Sequence, residues 1–180
     1  VFKNGEDLEF FGGKNSKGVE RNKVKARVIS QALEGIIRES SEVFVMGHKN
    51  PDMDCFGAGL GVMAICRELK KDCYMVLEDV SVTIRNVYDR VRVGNPEYID
   101  MMISPEKAYD ICRDTSLVIL VDNSRKLSTE APYLLDVTSK IVVVDHHRIG
   151  KDFVENSMLT YLEPYASSAC ELVTEIIYYM

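Results

Sequence analysis

Three apolar runs of this chain end in side chains able to do chemistry. "VFVMG" leads into His48, Asp52 and Asp54, "VILV" into Asp122, and "IVVV" into Asp145, His146 and His147. Mixed carboxylate and imidazole donors suit Mn2+, with Mg2+ and Fe2+ as alternatives, and argue against a thiolate zinc site. Each element alone has a plainer reading. A His–Asp turn commonly caps a helix or forms a surface pair, and a lone Asp after a strand commonly serves its turn. Asp-His-His after four apolar residues is rarer, and the three together point to a metal centre. Four gathered carboxylates repel one another and lose hydration unless cations offset them. Two divalent ions about 3.5–4 Å apart would do so, and would activate a shared water and clamp a phosphoryl centre.

The elements that must position these residues are legible. "EVFVMG", "CYMVLED", "SLVILVDN" and "KIVVVDHH" are near-continuous apolar runs rich in β-branched residues, as strands covered on both faces require. Val24, Val28, Ala32, Leu33, Ile36 and Ile37 recur at helical spacing and predict a helix from about 23 to 39. Further helices are expected over about 56–71, once or twice within 82–103 around "VGNPE", and from Ser104, with Pro105 at the first position. Ser167 and Ser168 are expected to cap a last helix. Alternating strands and helices predict a doubly wound α/β domain, its mainly parallel sheet carrying helices on both faces. The carboxyl ends of such strands share one edge, where ligands bind.

At 180 residues the chain can build one domain with a real core, and its 46% hydrophobic and 28% charged content is that of a soluble globular protein. No apolar run approaches the roughly 20 residues of a membrane span, and no signal peptide opens the chain, so no membrane contact is expected of this segment. The net charge of −6 argues against general polyanion binding. No basic, aromatic-studded stretch supports a long nucleic-acid track. The five cysteines include no CxxC pair, and at least three, inside apolar runs, read as small core hydrophobes in a reducing cytosol.

Residues 1–22 read as a linker or extension from an upstream domain, and 23–180 as the folded domain. Within 14–27, six basic residues face one acidic residue, a solvated linker and helix start, with a phosphate-facing patch as the alternative. Val1 is not a start methionine and "CELVTEIIYYM" stops within helical periodicity, so the chain reads as an excised piece. Gly57, Gly59 and Gly61, with Glu78 about 20 residues on, raise a dinucleotide-binding reading. Their spacing is G-x-G-x-G, and Asp52 and Asp54 would repel a pyrophosphate. The glycines are therefore expected to serve close packing at a helix start.

"GHKNPDMDCFGA", "VDN" and "VDHHR" resemble the ordered motifs of the DHH phosphoesterase superfamily. Together with "FFGGKNSKGVERNKVKARV" and "YLEPYASSACELVTEII", they are most similar to the DHH domain of GdpP-type cyclic di-AMP phosphodiesterases. The resemblance implies metal ligands at His48, Asp52, Asp54, Asp122 and His146, with Asp122 bridging two Mn2+ ions. It implies that Asp145 orients His146, and that His147 and Arg148 face the scissile phosphate as catalytic groups. The implied reaction is hydrolysis of cyclic di-AMP to linear pApA by a metal-bridging hydroxide. Short oligonucleotides, 3′-phosphoadenosine phosphate and pyrophosphate are alternative substrates within the superfamily, and a non-catalytic nucleotide-binding regulatory domain is an alternative of another class. The resemblance also implies a further metal-binding aspartate and a DHH-associated substrate domain beyond residue 180. Upstream it implies a membrane anchor that holds the parent at the cytoplasmic face, and homodimers are among the assemblies it admits.

Overall fold

The computed structural model describes residues 2–4, 7–9 and 16–180, with side chains from Val24 onward. Two short strands, β1 (Phe2–Asn4) and β2 (Asp7–Glu9), pair antiparallel. Helix α1 (Ser16–Glu39) starts about seven residues earlier than its apolar stripe indicates. The seven added residues, SKGVERN, include a single apolar residue, Val19, and so carry no hydrophobic period. Of the expected linker, Val1, 5–6 and 10–15 lie outside the described residues.

The main sheet contains β3 (Val43–Met46), β4 (Cys73–Val76), β5 (Met102–Ile103), β6 (Leu117–Val121), β7 (Ile141–Asp145) and β8 (Leu159–Leu162). Their order is β5-β4-β3-β6-β7-β8 and every pairing is parallel. The expected doubly wound α/β class is thus observed. The four expected strands are present, and β5 and β8 are additions at the two edges.

The intervening helices are α2 (Met53–Glu68), α3 (Arg85–Gly94), α4 (Pro96–Asp100), α5 (Pro105–Ile111), α6 (Leu134–Val137) and α7 (Ala169–Tyr178). Asp52 caps α2, so that helix opens three residues before the expected start. Ser104 caps α5 by accepting the Lys107 N–H, with Pro105 following, and Ser168 caps α7 by accepting the Glu171 N–H.

Alternate residues of each strand feed different cores. Val43, Val45, Leu117, Ile119, Val121, Val142 and Val144 pack with Leu33, Ile37, Phe56, Met63 and Leu172 on one face. Phe44, Met46, Val118, Leu120, Ile141 and Val143 pack with Ala108, Leu134 and Leu135 on the other. Burial on both faces explains why these strands read as continuous apolar runs rather than alternating ones.

After β3 the chain winds outward through β4 and β5, then returns to place β6 on the other side of β3. The strand order therefore reverses between β3 and β6. Loops leaving these two strands diverge and open a crevice at the carboxyl edge, where α/β sheets bind ligands.

Candidate metal centre

The turn after β3 carries His48 and Asp52, Asp54 lies in the first turn of α2, and Asp122 follows β6 on the other side of the crevice. Asp145 closes β7, with His146 and His147 just beyond it. Distant segments meet at Asp122. Its side chain is 2% exposed, and three imidazole nitrogens surround it: His146 Nε2 at 3.3 Å and His147 Nδ1 at 3.6 Å from Oδ1, and His48 Nε2 at 3.7 Å from Oδ2. Asp122 holds φ 54°, a left-handed backbone that disfavours most L-residues but tolerates Asp.

His48 Nδ1 lies 2.9 Å from the Lys49 carbonyl, which accepts its proton and leaves Nε2 facing the carboxylates. The hydrogen bond to Asp122 raises the His48 pKa to about 9 against the opposing effect of burial, with help from the Lys49 carbonyl and the charges of Asp122 and Asp52. Asp52 is more exposed and lies 3.9 Å from His48 Nε2. Its Oδ1 also accepts the Asp54 and Cys55 N–H groups, so the plain capping role and the rim position coexist.

Asp54 is tied on both oxygens. Oδ2 accepts the Ala169 N–H and Oδ1 the Cys170 N–H, each at 2.8 Å, and Oδ2 lies 3.5 Å from His146 Nε2. Its charge therefore sits at the positive end of α7.

Asp145 departs from expectation. Its Oδ1 accepts the His147 backbone N–H at 3.1 Å and lies 2.8 Å from His147 Nδ1, so it orients His147 rather than His146. An Asx-type turn brings the residue two positions on back to the carboxylate, whereas His146 points across to Asp54 and Asp122. Burial would raise the Asp145 pKa, but hydrogen bonds from Ser124 and His147 outweigh it and hold the carboxyl below its usual range.

The donors form two groups that share Asp122: Asp122 with His146 and His147, and His48 with Cys55 and Asp122, each with ligand atoms within 4.8 Å of one another. Asp122 Oδ1 is buried without a hydrogen-bond partner, as is Asp145 Oδ2. A buried, unsatisfied carboxylate oxygen facing imidazole nitrogens is costly in bare protein and suits a divalent cation. The residues present therefore fit such an ion.

Cys55 is buried, at 4% exposure, and its sulfur also lies within reach of this rim. Burial pushes the thiol up to about 12, opposed by a backbone hydrogen bond with His48 and reinforced by Asp122, Asp52 and Glu130. Its place directly after Asp54 was the available signal. An open pocket of about 190 Å³ beside Asp122, Asp145 and His147 also brings in Ser124 and Arg125, neither singled out from sequence. Arg148 is exposed, and no hydrogen bond or ion pair from it to the cluster occurs among the described residues.

The three glycines of α2 pack rather than cradle phosphate. A Cβ on Gly57 would meet Cys170 Sγ at 2.7 Å, one on Gly59 the Met75 Cε at 2.6 Å, and one on Gly61 the Val173 Cγ1 at 2.6 Å. They let α2 lie against α7 and β4, which disposes of the dinucleotide reading.

The sequence profile of the DHH family, N-terminal domain, matches residues 42–180. The chain belongs to the DHH family. It is 38% identical over 174 residues to the cyclic-di-AMP phosphodiesterase GdpP of Bacillus subtilis, covering 96% of this chain and 26% of that protein. It is 40% identical over 174 residues to the cyclic-di-AMP phosphodiesterase PdeA of Listeria monocytogenes, with the same coverage of each. A probable manganese-dependent inorganic pyrophosphatase of Streptococcus thermophilus is 29% identical over 130 residues, covering 72% of this chain and 39% of that one. The chain thus spans about a quarter of the length of the two phosphodiesterases. Among solved structures, an exopolyphosphatase-related protein from Bacteroides fragilis shares the fold, with a TM-score of 0.64 and 14% identity over 84% of this chain and 43% of that chain. No described helix is long and apolar enough to cross a membrane.

Proposed function

We propose that this DHH domain is the metal-holding part of a phosphodiesterase that hydrolyses cyclic di-AMP to linear pApA. The observation that carries the reading is the buried, unpartnered Asp122 Oδ1, faced by imidazoles from β7 while its other oxygen faces His48. Identity of 38–40% to two cyclic-di-AMP phosphodiesterases supports the substrate. The manganese-dependent pyrophosphatase relative supports Mn2+.

His48, Asp52, Asp54, Asp122 and His146 would hold two ions. Bound there, the ions supply an activated water and offset charge on the phosphoryl oxygens. His48 is set for this by its Nδ1 bond to the Lys49 carbonyl, which presents Nε2. Asp145 fixes the ring of His147, whose outward nitrogen then meets the scissile phosphate. Arg148, exposed beside it, supplies a charged donor to the same group. Water adds to phosphorus as the bond to the 3′ oxygen breaks, and the released oxygen takes up a proton.

The test uses the full-length protein that carries this chain, loaded with Mn2+ and offered cyclic di-AMP, pApA, 3′-phosphoadenosine phosphate and pyrophosphate side by side. Cyclic di-AMP should give the highest kcat/KM, at least tenfold above the others, with pApA accumulating. A preference for pyrophosphate or 3′-phosphoadenosine phosphate would place the chain with other substrates of the family and defeat the proposal.

A further inference from the structure

We infer that Arg125, on the loop after β6, is a specificity-determining residue that grips the second, unbroken phosphate of a cyclic dinucleotide. The inference deepens the preceding reading and rests on it for the substrate class.

Arg125 lines the open pocket of about 190 Å³ together with Asp122, Asp145 and His147. The two carboxylates there already have partners. Asp122 faces three imidazole nitrogens, and Asp145 holds the His147 ring. Arg125 differs: it is exposed, and among the described residues all its hydrogen bonds run through its backbone. Its basic neighbour Lys126 is paired with Asp136, so the nearby acid is taken by another cation. The guanidinium is left as a positive group at the mouth of the pocket.

The backbone beneath it is fixed from several sides. Asn123 Oδ1 accepts the Arg125 N–H, and Asn123 Nδ2 donates to the Arg125 carbonyl, each at 3.1 Å. Arg125 also pairs antiparallel with Phe153 in an isolated bridge. Beside that bridge the Val154 N–H donates to the Ser124 carbonyl at 3.0 Å, and the Lys126 N–H to the Asp152 carbonyl at 3.3 Å. These bonds splice the loop after β6 to the loop after β7, which carries His147 and Arg148. The guanidinium lies along that second loop: a Cβ on Gly150 would stand 3.2 Å from Nε and 3.6 Å from Cζ. Groups held by a preformed backbone bind with little further ordering cost.

Charge and shape select the ligand. A guanidinium presents a planar fork of N–H donors that matches two oxygens of a phosphate. In the preceding reading the ions, His147 and Arg148 take the scissile phosphate, which leaves Arg125 for a different one. A cyclic dinucleotide carries both phosphates on one closed ring. With one phosphate over Asp122, the other is kept near the same pocket, within the reach of a long side chain on its lip. A diester with a single phosphate offers this arginine nothing.

Steady-state kinetics of the full-length, Mn2+-loaded protein test this with two substrates: cyclic di-AMP, and bis(p-nitrophenyl) phosphate as the diester with one phosphate. In Arg125→Gln and Arg125→Ala the ratio of kcat/KM for cyclic di-AMP to that for the single-phosphate diester should fall roughly tenfold or more, through KM rather than kcat. Arg125→Lys, which keeps the charge but not the fork, should recover part of the loss. Lys126→Ala, which removes the neighbouring cation, should keep the wild-type ratio. An unchanged ratio in both Arg125 variants, or a loss shared equally by the two substrates, overturns the inference. So does an equal fall in Lys126→Ala, which would make the effect one of general charge. A wild type that hydrolyses cyclic di-AMP while the Arg125 variants keep its ratio defeats this inference alone, whereas a wild type inert toward cyclic di-AMP defeats the preceding reading and this one with it.

Discussion

The Asp54 carboxylate accepts the Cys170 N–H at 2.8 Å across 116 positions of sequence, tying the first turn of α2 to the first turn of α7. Ala169 donates to its other oxygen at the same distance. One side chain therefore serves as a helix cap and as a member of the proposed metal set.

Asp54→Ala should consequently lose about 1–2 kcal/mol of stability even without metal, the usual cost of removing a cap. Urea unfolding in EDTA measures it. An unchanged midpoint would show that the two N–H groups find other acceptors at no cost.

Asp122 separates metal binding from folding more cleanly. Its φ of 54° is tolerated by Asn, so Asp122→Asn should fold with nearly wild-type stability, whereas Asp122→Ala should lose a further 1–2 kcal/mol or so. Mn2+ at about 100 times its Kd should stabilise wild type by about 2.7 kcal/mol. Both variants should lose that gain, read as the Tm difference between Mn2+ and EDTA. An Asp122→Asn protein that still gains stability from Mn2+ would remove Asp122 from the centre.

The α2–α7 contact predicts a reversed glycine effect. In an open helix Gly→Ala gains about 1 kcal/mol. At Gly61 the new Cβ would meet Val173 Cγ1 at 2.6 Å, and overpacking of about 1–3 kcal/mol should outweigh the gain. Gly61→Ala combined with Val173→Ala should be more stable than the two separate losses sum to. Strict additivity in a double-mutant cycle would mean that the two positions do not touch.

The pH dependence of Cys170 is also set by this contact. Burial, then its hydrogen bond to Asp54 and the nearby charges of Asp54, Asp122 and Asp52, push the thiol up to about 12. A raised thiol pKa keeps the unreactive protonated form as pH rises. Against an ordinary thiol near 8.5, the thiolate fraction at pH 8 falls by about three orders of magnitude. Iodoacetamide in EDTA should therefore leave Cys170 unmodified through pH 8 in the folded protein and label it readily in urea, as followed by peptide mass spectrometry. Rapid labelling of the folded protein at pH 8 would contradict this.

The amino-acid sequence by itself determined the central strands, the class of fold and the acidic and imidazole residues that follow the strand ends. Strands buried on both faces must be apolar at every position, so β3, β4, β6 and β7 announce themselves within a few residues. Caps such as Ser104 and Ser168 are equally local, because a helix end must satisfy its N–H groups close at hand. The edge strands β5 and β8 escaped such a reading, since the first spans two residues and the second is only half-buried at most positions. Tertiary structure alone decided the partners. It gave Asp145 to His147, Asp54 to the start of α7, and the buried Cys55 sulfur a place within reach of His48 and Asp122. Residue type and spacing are properties of neighbours along the chain, whereas these contacts depend on where the parallel crossovers set each strand end.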